Sequence, residues 1–151
     1  ADSMPGERWK PTISAITREA QARVTRMERC AERISAVPVK EGIRRIASIS
    51  RQIVDDFISR PSDPVRMQRF LLDYLDTTAQ ILERYVEIRI RKVPGEAALS
   101  ISTRVENSLA EMASAFERYR EGIFAEEIAA LDAKLSQLQT HLTARQPPHE
   151  P

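Results

Sequence analysis

The sequence predicts an all-α fold: an elongated antiparallel bundle of four to five long amphipathic helices. Two observations carry that expectation. Apolar residues recur at steps of three and four through most of the chain, with no strand-like alternation. Prolines at Pro11, Pro38, Pro61, Pro64 and Pro94 cut the pattern into pieces of helical length. Composition agrees, since 42% hydrophobic and 30% charged residues with four glycines supply one core and little loop. A single bundle domain over 12–143 is expected, between a flexible segment 1–11 and a disordered tail 144–151.

The first helix, from about Thr12 to Ala36, places Ile13, Ile16, Ala20, Val24, Met27, Ala31 and Ile34 on one stripe, and Thr12 suits its N-cap. After Pro38, Val39, Ile43, Ile46, Ile53 and Phe57 mark a second stripe that ends before Arg60-Pro61-Ser62-Asp63-Pro64. In that turn Asp63 is placed to cap the next helix and Pro64 fits its first position. From Pro64 to Pro94 nothing breaks the helix. Met67, Leu71, Tyr74, Thr78, Ile81, Tyr85 and Ile88 form the stripe, Leu75 and Leu82 widen it, and Arg89, Arg91 and Lys92 suit the dipole at its end. A fourth helix is expected from Ser100 to Thr103 onward, with Thr103 and Glu106 at capping-box spacing. It carries Val105, Leu109, Met112, Phe116, Tyr119 and Ile123; the pattern then slips at Gly122 and resumes as Phe124, Ile128, Leu131, Leu135, Leu138 and Leu142. The slip leaves open one helix or two over 100–143.

Charge and sulfur narrow the setting. A formal charge of +1 gives no overall field toward nucleic acid. The single Cys30 has no partner for an internal disulfide, which fits a reducing compartment, and no stretch is apolar enough to span a bilayer. The expected location is cytoplasmic, at the inner face of the membrane.

The search for chemistry returns few groups. His141 and His149 lack a Cys, Asp or Glu at helical metal-site spacing, Cys30 has no histidine near it in sequence, and phosphate-loop and nucleophile-elbow motifs are absent. No cofactor or metal site is expected. Asp73, Asp76, Gln80, Glu83 and Glu87 share one face at three-four spacing, with Asp55-Asp56 on the preceding helix. Facing carboxylates can hold divalent metals inside bundles, so Asp73, Asp76 and Glu83 are the candidate catalytic residues. The bland alternative is a solvated helix edge, supported by the Glu87–Arg91 spacing. Arg26, Arg29 and Arg33, with Arg44, Arg45 and Arg51, offer basic faces for anionic lipid or phosphate, interrupted by Glu28, Glu32 and Glu41.

The stretch Pro64 to Tyr85 resembles the central signature of the XpaC family, the 5-bromo-4-chloroindolyl phosphate hydrolysis proteins. Arg69, Phe70, Leu71, Tyr74, Leu75, Thr77, Thr78, Leu82 and Tyr85 match it in register. Leu72, Asp73 and Asp76 depart from it, standing where the family has Asn, Tyr and Pro. The resemblance implies a helical domain whose family name records phosphate-ester hydrolysis. It also implies company with toxic-anion (tellurite) resistance proteins of the TelA kind, and membrane segments ahead of the domain in some members. Three functions remain in view: a non-enzymatic module that binds a helical partner or a second copy of itself, a metal-assisted phosphoesterase, and an anionic lipid-surface binding protein.

Overall fold

The computed structural model describes residues 12–60 and 63–143, all-helical apart from short turns. Segments 1–11 and 144–151, with His149, lie outside the described residues, as do the side chains of Ile128, Leu131, Leu138, His141 and Leu142. The helices are α1 (Ile13–Glu32), α2 (Val37–Ser59), α3 (Pro64–Phe70), α4 (Thr77–Arg91) and α5 (Glu96–Thr143), with a π-helical turn, Leu71–Asp76, joining α3 to α4. The chain divides into two compact units, 1–116 and 117–151.

Each boundary has a local cause. Thr12 Oγ1 accepts the Ala15 N–H at 3.0 Å and opens α1 as expected. α1 stops at Glu32, short of Ala36, because Ala36 is extended to start α2, whose first turn holds Pro38 at no cost in hydrogen bonds. Asp63 Oδ1 accepts the Val65 N–H at 3.0 Å, capping α3 with Pro64 in its first turn. Buried Ile16, Ala20, Val24, Met27 and Ala31 of α1, with Ile43, Ile46, Ile53 and Phe57 of α2, build the first layer of the core. α1 also packs on α3, the π turn and α4.

The expected unbroken α-helix from Pro64 to Pro94 is corrected at its middle. The π turn over Leu-Leu-Asp-Tyr-Leu-Asp holds more residues than an α turn, so the buried face beyond it widens and shifts while still holding Thr78 and Tyr85. Leu75, Ala79, Leu82 and Val86 are almost fully buried. Ile81, expected on the stripe, is 40% exposed, and Tyr74 and Ile88 are half-buried. Tyr74 instead lies between Phe70 and Phe116, with ring centroids 5.6 and 6.0 Å away, and Phe57 closes the cluster on Phe70 at 5.8 Å.

α4 ends on Lys92 in the left-handed conformation (φ 50°), and the amides of Lys92 and Val93 both donate to the Ile88 carbonyl. That cap favours glycine, so a lysine there is strained. α5 begins at Glu96, not in the Ser100–Thr103 window: the Gly95 carbonyl accepts the Leu99 amide at 3.1 Å, and Glu96 sits in the first turn where the dipole favours an acid. Glu106 is therefore inside the helix rather than in a capping box. The slip at Gly122 does not end the helix, which runs on to Thr143. In the second unit Arg120 covers the Phe124 ring at 5.4 Å, and Leu135 is exposed.

Gly42 shows why α2 and α5 approach closely. A Cβ at that position would meet Leu109 Cδ1 at 3.0 Å and Leu109 Cβ at 3.2 Å. Beside this crossing lies an apolar groove of about 480 Å³, lined by Pro38, Val39, Gly42, Leu109, Ala110 and Ala113, with Glu41, Arg45 and Glu106 also lining it.

The shifted face has a direct test. Leu82→Ala is expected to cost roughly 2–5 kcal/mol by urea unfolding, and Ile81→Ala under about 1 kcal/mol. A straight helix would give the two neighbours comparable costs.

Candidate functional site

The carboxylates singled out from the sequence lie on the π turn and α4, and α1 faces them with arginines. Arg23 Nε donates to Asp76 Oδ1 at 3.0 Å, its Nη1 donates to Glu19 at 2.5 Å, and Gln80 Nε2 donates to the other Asp76 oxygen at 2.9 Å. Arg26 reaches Glu83 as a fork, Nε to Oε2 at 2.9 Å and Nη2 to Oε1. The partner numbers rise together, 23 with 76 and 26 with 83, as they must when the first and third rods of an up-and-down bundle run parallel. On the other side of α1, Arg51 forks onto Glu28 at 2.8 and 3.1 Å.

These contacts set the electrostatics. The Arg26 hydrogen bonds hold the Glu83 carboxyl below its ordinary range, and the same bonds raise Arg26 above its own. Arg51 is likewise raised, chiefly by its hydrogen bond to Glu28. Both oxygens of Asp76 and of Glu83 are engaged by side chains, so neither carboxylate is presented as a metal ligand or base. Asp73 is exposed, Glu87 pairs with Arg91 at 3.6 Å, and Asp55 lines a separate depression with Glu28, Arg44 and Arg51. Among the described residues no three His, Cys, Asp or Glu side chains form a group able to hold a metal ion.

The signature residues have another role. Phe70, Leu71, Leu75, Thr78, Leu82 and Tyr85 are buried, Tyr74 is half-buried, and Arg69 and Thr77 are exposed. Tyr85 donates its hydroxyl to Glu106 of α5 at 2.5 Å, and burial with that hydrogen bond pushes the phenol well above its usual range. Arg89 approaches the same Glu106 oxygen at 3.9 Å. The signature thus fixes how the third rod packs, and its departures at Leu72, Asp73 and Asp76 fall within the π turn. Cys30 is buried in α1, and burial pushes its thiol up to about 11. Of the basic faces, Arg26, Arg44 and Arg51 are committed to carboxylates within the fold.

Sequence reasoning missed the clasp because Arg23 carried no mark separating it from the other arginines of α1. Its available signal was two arginines three apart on the helix destined to face an acidic one. Gly42 was also missed; a lone glycine between Glu41 and Ile43 inside a helical pattern was the clue.

With the helical rods and their signature contacts in place, comparison with known proteins agrees. Residues 11–138 match the model of the family described as 5-bromo-4-chloroindolyl phosphate hydrolysis protein. The chain belongs to this family, the XpaC family. No curated protein and no solved structure matches it. Among the described residues no helix is long and apolar enough to cross a membrane.

The Arg26–Glu83 fork makes stability depend on pH. Glu83 is depressed in the folded state, so the unfolded chain binds the proton more readily, and the contribution present at neutral pH is lost as pH falls through the folded value. A double-mutant cycle with Arg26→Met and Glu83→Gln should return a coupling of about 0.2–1 kcal/mol at pH 7, given the pair's partial exposure. The coupling should vanish on acidification.

Proposed function

We propose that the chain is a non-catalytic helical interaction module of the XpaC type, working at the cytoplasmic side of the membrane beside a helical partner of the toxic-anion (tellurite) resistance kind. One observation carries the reading. Asp76 and Glu83, on which metal-assisted hydrolysis of an indolyl phosphate would depend, are clasped by Arg23 and Arg26 of the same fold. Phosphoryl transfer needs a nucleophile, metal ligands or a cradle of donors aimed at the phosphate. Here the arginines that would supply donors and the carboxylates that would supply ligands satisfy each other. The family name then records an effect of the protein on hydrolysis in the cell, not a reaction it performs.

The apolar groove beside the Gly42–Leu109 crossing supports the interaction half of the reading. Its small side chains leave room for the aliphatic residues of a partner helix, and Glu41, Arg45 and Glu106 line it with charges of both signs to orient it. A second copy of the chain is the alternative occupant.

The purified chain is expected to leave indolyl phosphate uncleaved with Mg²⁺ or Mn²⁺ present. In affinity capture with the protein encoded beside it, Ala110→Glu should abolish retention while leaving the thermal midpoint unchanged, because Ala110 is exposed at the groove. Turnover that disappears in Asp73→Asn, Asp76→Asn or Glu83→Gln would overturn the non-catalytic reading. Light scattering of the chain alone separates a second copy from a foreign partner.

A further inference from the structure

We infer that the α4–α5 hairpin end is a second binding surface, independent of the partner reading, and that its ligand is the headgroup layer of an anionic membrane. Ile90, Val93, Leu99 and Ile101 are large aliphatic side chains exposed at 45, 44, 65 and 40% of their surface, all within or beside this connection. Half-buried Ile88, exposed Val93 and buried Ala98 line two adjoining depressions. In one Ile101 stands with Arg84 and Arg91; in the other Leu99 stands with Arg89 and Lys92. Leu99 and Ile101 thus each share a depression with two cations, Glu87 joining those beside Ile101.

The charge of the surface chooses its ligand. Arg84, Arg89, Arg91 and Lys92 outnumber the acids near them, Glu87 and Glu106, and from Ile88 to Gly95 no acid occurs. Glu87 meets Arg91 at 3.6 Å and Glu106 meets Arg89 at 3.9 Å, long contacts that leave the sign of the surface positive. A helical partner would follow an unbroken apolar stripe. Here cation and aliphatic residue alternate in Arg89-Ile90-Arg91-Lys92-Val93, giving such a partner no stripe to follow. Headgroups over acyl chains take both kinds of side chain at once.

The helix dipole accounts for cations in the last turn of α4. It accounts neither for the aliphatic side chains of α5 nor for Lys92 itself. Lys92 occupies the left-handed cap where glycine would be relaxed, so the fold carries a lysine at a position that disfavours it. The surface lies on the membrane without spanning it.

Cosedimentation of the full chain with vesicles of phosphatidylcholine, with and without phosphatidylserine, tests the inference. Binding should require phosphatidylserine and weaken as salt is raised. Lys92→Gly should raise the thermal midpoint yet weaken vesicle binding about fivefold, the effect of one cation near an anionic surface. Loss of binding in that variant cannot come from unfolding. Val93→Ser with Leu99→Ser should weaken binding at every salt concentration. Absence of vesicle binding, equal binding to neutral vesicles, or full binding by both hairpin variants would overturn the inference, as would hairpin variants that lose a protein partner while keeping the vesicles.

Discussion

The π turn at Leu71–Asp76 widens the third rod and shifts its buried face toward Leu75, Ala79, Leu82 and Val86, while Thr78 and Tyr85 keep their places in the core. Much of the first unit depends on that shift. It adds Ala79 and Val86 to the expected Leu75 and Leu82 in the core, while Tyr74 and Ile88 are half-buried and Ile81 is exposed. It leaves Tyr74 to stack between Phe70 and Phe116 at the junction of α3 and α5. Asp76, its last residue, lies within reach of Arg23. The core and the acidic row thus meet at one widened turn, in which signature residues Leu71, Tyr74 and Leu75 alternate with departures from it at Leu72, Asp73 and Asp76.

The arginine clasp and the buried signature change what the acidic row means. A row of carboxylates on a helix is chemically ambiguous, since metal sites and solvated edges look alike in sequence. One partially buried fork on Glu83 and a single arginine bond on Asp76 resolve it, each charge being satisfied by a neighbour on the same chain. Such pairs add little to stability because the charges were well solvated before folding. Their larger effect is on orientation, since α1 can meet the third rod at one register without leaving an acid unpaired.

Helix existence was legible in the residues because periodicity, proline spacing and caps agree. Thr12, Asp63 and Pro64 each do in the structure what their chemistry predicts. The start of α5 was misplaced because Ser100, Ser102 and Thr103 look like caps, while the Ala97-Ala98-Leu99 run before them forms helix more readily. The π turn was illegible for a different reason. It inserts a residue without a proline or glycine to announce it, and Leu71, Leu72 and Leu75 supply apolar side chains to either register. At the candidate site the acidic row could be read, but its neutralisation could not, because pairing across rods depends on that hidden shift.

Cys30 has a consequence that concerns time rather than structure. Its thiol is buried in α1, and desolvation keeps it protonated through the physiological range. An alkylating reagent therefore waits for α1 to lift from its neighbours before it can react. The labelling half-life of this one sulfur becomes a gauge of the breathing of the bundle, lengthening as the population of the locally open state falls.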